Sequence, residues 1–174
     1  MKRVFSILGL AILTACGGGG SGSSSSSGPS EELEIIPPLP APVAPSVVEN
    51  NSFASLLNDV RIDNGASSVT YDNRLATAAV NHANDMYVND YFSHDGLNGS
   101  TPRSRALDEG YDAGPIGENI AQGQTSQQQV MNAWTNSTTG HHENNINPVY
   151  EDFGLGKAGS GGETRWVLVL ATEK

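Results

Sequence analysis

The 174-residue sequence contains a single cysteine, Cys16. An internal disulfide is therefore excluded, and with it any site built on paired thiolates. Positive charge is also scarce. Nine Lys and Arg stand against 19 Asp and Glu, for a formal net charge of −10. That balance argues against nucleic acid and anionic membrane surfaces as partners. Long hydrophobic runs are missing too. The apolar stretch from Val4 to Leu13 falls well short of the roughly 20 residues that a spanning helix needs.

What is present begins with Lys2 and Arg3, then that apolar stretch, then Leu13-Thr14-Ala15-Cys16. A basic start, a short apolar segment and small residues before a cleavage point describe a secretory signal peptide. The last four residues resemble the bacterial lipobox, which implies cleavage before Cys16 and lipidation of its sulfur. The expected signal covers 1–15, and losing Lys2 and Arg3 with it takes the formal charge from −10 to −12. With Cys16 acylated, no thiol remains for catalysis, and the acyl chains anchor the protein at about 0.8 kcal/mol per buried CH₂. Residues 17–30 are almost wholly Gly and Ser; residues 31–48 turn first Glu-rich and then Pro-rich, with Pro37, Pro38, Pro40, Pro42 and Pro45. This composition predicts a tether over 16–49, flexible first and polyproline-like later. Gly17 after the cysteine is not an Asp of the inner-membrane retention type, which tilts the expected location toward the outer membrane or cell surface.

Residues 50–174 have the length of one domain. Phe53, Leu56, Leu57 and Val60 repeat at helical spacing after Ser52, an N-cap candidate, and Gly65 is a stop. Asp72 precedes a second helix with Leu75, Ala79, His82, Ala83 and Met86 along one face; Ser68–Tyr71 reads as a short strand before it. Thr101-Pro102 opens a short third helix that ends by Gly110. A fourth spans about 126–137, with Thr125 and Gln128 at capping-box spacing. Strands are expected at 116–121, 153–158 and 166–170, the last apolar on both faces. A strand buried on both sides needs a layer above and a layer below, which predicts a sheet between helices.

The chemistry rests on four histidines. His82 lies on an apolar helical face and reads as a core residue; His94, His141 and His142 fall in loops or at helix ends. Tyr71-Asp72-Asn73-Arg74-Leu75-Ala76, Tyr91-Phe92-Ser93-His94, Gly117-Glu118-Asn119-Ile120-Ala121, Trp134 to Ser137 followed by Gly140-His141, and Phe153-Gly154-Leu155-Gly156 occur in that order. In this order they resemble the CAP superfamily of cysteine-rich secretory, antigen 5 and pathogenesis-related proteins, and more closely its bacterial branch. The resemblance runs from about Phe53 to the C-terminus. It implies an α+β fold, a single three-layer α/β/α sandwich, with a cleft where His94, Glu118 and His141 meet.

Those three residues are the candidate catalytic set and the candidate metal ligands. Two imidazoles and a carboxylate could hold Zn²⁺ or another divalent cation with a position open to water. Alternatively, Glu118 could act as a metal-free base, or the groups could only fix a ligand. Against the family pattern, Ser137 stands where eukaryotic members carry a second Glu, and Arg165-Trp166-Val167-Leu168 lacks their strand histidine. His141 is therefore a substitute from another element, chosen over His142. The bland readings are a loop-capping role for Glu118, packing for His94, and a helix C-terminal His141 favoured by the dipole. Gly154-Leu155-Gly156-Lys157-Ala158-Gly159 spells G-x-G-x-x-G, but too little chain follows for a dinucleotide fold. Ser93 beside His94 has no nucleophile elbow around it.

The expectation is thus a membrane-tethered, extracytoplasmic binding module with a His/Glu cleft and an unidentified extracellular ligand. A peptidase-like hydrolase and a structural envelope protein are the rivals.

Overall fold

The computed structural model describes residues 47–174, with side chains from Asn50 onward. The expected signal segment, Cys16 and the tether up to residue 46 lie outside the described residues. Nine regular elements follow in order: α1 (Val47–Asp63), β1 (Thr70–Tyr71), α2 (Asn73–Val88), α3 (Pro102–Asp108), β2 (Ala113–Gln122), α4 (Gln127–Thr135), α5 (His141–Ile146), β3 (Asp152–Ala158) and β4 (Arg165–Glu173), with a 3₁₀ turn at Gly161–Glu163. None of the described helices is long and apolar enough to cross a membrane.

The four strands form one sheet in the order β1-β3-β4-β2. β1 runs parallel to β3, while β4 pairs antiparallel with both β3 and β2. β4 is central and buried on both faces, as its apolar run predicts. Trp166, Leu168 and Leu170 enter a core with Phe53 and Leu57 of α1 and Val130, Met131 and Trp134 of α4. The alternate residues Val167, Val169 and Ala171 enter a second core with Leu75, Ala79, Ala83 and Met86 of α2 and Ala106 of α3. Period-two alternation on one strand therefore produces the three layers, and the α/β/α sandwich stands.

Glycines fix how near α2 comes. A Cβ at Gly154 would overlap the backbone of Leu75 and Ala76, and one at Gly156 the backbone of Ala79 and Val80. Two glycines of the G-x-G-x-x-G string thus let α2 lie directly on β3. They serve the packing of α2 on β3.

Helix boundaries follow local chemistry with three corrections. α1 starts at Val47, within the span given to the tether, so Ser52 lies inside the helix and bonds Gln127 of α4 at 2.6 Å. The N-cap of α4 is Ser126, whose hydroxyl accepts from the Gln129 amide. Gln129 in turn accepts from the Thr125 amide and hydroxyl, so the capping pair sits one residue later than the Thr125–Gln128 spacing suggests. α5 has no counterpart among the helices that the sequence predicts. Asp72 caps α2 and Thr101 caps α3 as read, the latter in a reciprocal capping box with Ser104.

Candidate functional site

β2 is an edge strand, and the site forms around it. Glu118 shares its face with Ile120, which packs in the α2/α3 core. Asn119 points the other way, toward α5. Two adjacent residues therefore organise the two sides of the edge.

On the α2/α3 side, Glu118 is buried with both carboxylate oxygens committed. Oε1 lies 2.8 Å from His94 Nδ1 and Oε2 accepts from Arg105 at 2.6 Å. Arg105, on α3, also donates to the carbonyls of His94 and Ser100 at 3.1 Å each. One guanidinium thus neutralises the carboxylate and fixes the loop that carries His94. His82 Nε2 stands 4.0 Å from Glu118 and 2.9 Å from the Ser93 carbonyl. His82 is 1% exposed, the core residue that its helical face predicts, and it also pins the His94 loop. A carbonyl only accepts, so Nε2 carries the His82 proton, and burial drives its pKa down and keeps the ring neutral. His94 is half exposed, and the hydrogen bond to Glu118 raises its pKa above the ordinary value.

On the other side, Asn119 donates to the His141 carbonyl at 3.0 Å and to Asn145 Oδ1 at 2.9 Å. Asn144 returns a bond to Asn119 Oδ1. Arg61 of α1, fully buried, donates to the carbonyls of Asn145, Asn147 and Tyr150. These bonds hold α5, which lacks the apolar periodicity of the longer helices. His141 is its first residue, so the C-terminal dipole role is corrected: the ring sits at the end where a cation is disfavoured. Its pKa falls, from burial first and then from the nearby charge of His94. Ser137 Oγ lies 2.9 Å from His141 Nδ1. The serine that departs from the family pattern therefore orients this ring. His141 is the imidazole that neighbours His94; His142 has a buried Nδ1 without a partner.

The structure thus brings His94 and Glu118 into contact and sets His141 near His94. It does not form the three-ligand metal set. Among the described residues no group of three His, Cys, Asp or Glu side chains could hold a metal ion. The reason is local: both Glu118 oxygens are spent on His94 and Arg105, leaving two imidazoles where catalytic zinc takes three protein ligands. Sequence reasoning missed Arg105, whose signal is only the need of a buried strand carboxylate for a cation. It also missed Asn119, Arg61 and the role of Ser137.

The family description that matches residues 54–170 is CAP, the cysteine-rich secretory protein family. The chain belongs to this family. The uncharacterised protein YkwD of Bacillus subtilis (strain 168) is 32% identical over 120 residues, covering 68% of this chain and 46% of its own length. This CAP chain thus spans about half of that relative. An outer surface protein of Borrelia burgdorferi superposes with a TM-score of 0.66 at 22% identity, over 75% of this chain and 96% of that one. An extracellular SCP-domain protein of Bacillus anthracis gives 0.64 at 26%, over 72% and 42%. NaASP2, solved with Zn²⁺, shares the fold at 0.55 and 15% identity, over 73% and 80%. Two of these relatives are thus described as a surface and an extracellular protein.

Proposed function

We propose that this CAP protein is a tethered binding module, held to a bacterial membrane by lipid on Cys16, whose cleft beside β2 takes a small extracellular ligand without a metal. The observation that carries the reading is the pair of imidazoles from opposite faces of the sheet. Each has its Nδ1 engaged, His94 with Glu118 and His141 with Ser137. Glu118 orients His94 through Nδ1; with Arg105 on its other oxygen it is a positioning residue and not a free base. A His94 ring that favours the cation beside a His141 ring that favours the neutral form suits a ligand carrying an anionic or carbonyl oxygen next to a donor.

A calorimetric titration of Zn²⁺ into the full chain, beside His94→Ala and His141→Ala, tests the metal-free reading. The expected result is no stoichiometric binding at about micromolar affinity or tighter. Such binding, lost in both variants, would overturn it. The tether is tested by Cys16→Ser, which should move the protein from the membrane to the soluble fraction.

The opposed histidine shifts also favour one rival, a hydrolase in which His141 is the base and His94 the acid. Release of products from peptide or glycan libraries, abolished by His141→Ala with the fold intact, would establish that rival; retention of a ligand without turnover supports the module.

A further inference from the structure

The loop that presents His94 also holds a chemically labile pair. Asn98 is followed by Gly99, and both residues are exposed. An asparagine side chain is open to attack by the backbone nitrogen of the next residue where nothing shields that nitrogen. Gly99 has no Cβ, and at its φ of +79° nothing lies within 4 Å of the place a Cβ would take. The Asn98 side chain is already turned along its own main chain, since its Oδ1 accepts from the Ser100 amide at 2.9 Å. That bond polarises the Cγ carbonyl and stabilises the negative charge that attack would place on Oδ1. The Asn98 Nδ2 makes no hydrogen bond among the described residues, so the leaving nitrogen is unrestrained. The Gly99 N–H bonds the Gly96 carbonyl at 2.9 Å; this turn sits at an exposed loop tip, and attack waits on its local opening.

Two similar pairs in the domain lack this arrangement. In Asn64-Gly65 the Asn64 Nδ2 donates to the Val60 carbonyl at 2.8 Å, so the leaving group is held. No donor reaches its Oδ1 among the described residues. In Asp95-Gly96 the glycine is buried and its amide is committed to the Ser100 carbonyl at 2.9 Å. Asn98 alone combines a polarised carbonyl, an unrestrained leaving group and an unshielded neighbour.

We propose that Asn98 is a site of spontaneous modification, converted through a cyclic imide to isoaspartate, and that the conversion frees His94 from its anchor. The Gly99 nitrogen gives its proton to solvent and bonds Asn98 Cγ. The Cγ–Nδ2 bond breaks, and Nδ2 takes up a proton and leaves as ammonia. Water then adds to one carbonyl of the imide and breaks that carbon's bond to the Gly99 nitrogen. Opening at the main-chain carbonyl leaves the chain running through the former side chain, one carbon longer. That carbon is inserted between two points on which the site depends. Arg105 donates to the carbonyls of His94 and Ser100 at 3.1 Å each, and the insertion shifts one against the other. The new carboxylate also joins a wall that already holds Asp108 and Glu109 beside Arg105. The loop loosens and His94 parts from Glu118, whatever the cleft binds.

The test ages the full chain in warm, mildly alkaline buffer and follows it by peptide mass mapping, isoaspartate detection and histidine ring NMR. In the folded protein, conversion at Asn98 should run roughly tenfold ahead of Asn64, the worth of one hydrogen bond to the developing charge. In denaturant the two pairs should convert at similar rates. A second set of His94 signals should grow in step with the conversion. Asn98→Ser keeps an oxygen for the Ser100 amide and has no amide to lose, so it should age without that second set. Conversion at Asn98 no faster than at Asn64 in the folded protein, aspartate formed without isoaspartate, or His94 signals unchanged in the converted protein would each overturn the proposal.

Discussion

The two faces of the sheet are packed by opposite means. On the α1/α4 face, large rings fill the space: Phe53 meets Trp134 edge-on at 6.4 Å between centroids and Phe153 at 6.1 Å. On the α2 face, Ala76 and Ala79 press against a strand thinned by Gly154 and Gly156, and Ala83 joins the core beneath. One face is stabilised by the area it buries, the other by how closely two backbones approach. The difference teaches that the faces should fail in opposite directions: the first to removal of atoms, the second to addition.

The largest expected effect is on the small-residue face. Gly156→Val puts atoms where the backbone of Ala79 already lies, and α2 must leave the sheet. The loss is expected to exceed the roughly 5–15 kcal/mol by which a native domain is stable, so the variant does not fold; loss of the cooperative unfolding transition in circular dichroism would register it. A folded variant of near-normal stability would break the comparison. On the other face, Phe53→Ala leaves a cavity among fully buried rings and should cost about 3–5 kcal/mol, with the protein still folded. Denaturant unfolding measures it; a cost below that of a surface substitution would show that this face relaxes.

The smallest effect appears where the faces meet, since each contributes one imidazole. His94 titrates above the ordinary histidine value of 6.5 and His141 below it. The signs follow by linkage. The stabilisation from His94 is full below its unfolded pKa and fades as pH rises through its folded pKa. That from His141 is full above its unfolded pKa and fades as pH falls through its folded pKa. Between about pH 5 and pH 8, His94→Gln should therefore lose more stability at the acid end, and His141→Gln should lose none there. Thermal unfolding of the two variants across that range, with ring titrations by NMR, checks both signs.

The faces also differ in how much the sequence revealed. β4 was legible because five consecutive apolar residues admit burial on both sides only. α2 was legible because Asp72 caps it and its apolar residues keep helical spacing. The start of α1 was hidden, since Val47 and Val48 follow the proline tract and share its apparent character. α5 was invisible: His141-His142-Glu143-Asn144-Asn145-Ile146 has no apolar period, and its helix is held by Arg61 and Asn119, which come from distant parts of the chain. The same limit applies to the site. Glu118, His94 and His141 were marked by family resemblance, whereas Arg105 is recognised only when α3 is folded against β2. The second Glu118 oxygen is held by Arg105 in that arrangement, and among the described residues no three-residue group of metal-ligating side chains forms.

The outer margin of β2 has a consequence for how copies of this protein coexist. A ten-residue strand at the end of a sheet offers a ladder onto which another chain can pair. Here the outward carbonyls are taken by side chains: Asn144 donates to that of Glu118 at 3.4 Å and Trp134 to that of Ile120 at 3.2 Å, while Arg103 binds those of Ala113 and Gly114. The opposite margin, β1, is only two residues long. An approaching strand therefore meets carbonyls already occupied along one margin and only a two-residue strand at the other, and Asn144 of α5, which helps to hold the cleft, takes part in that protection.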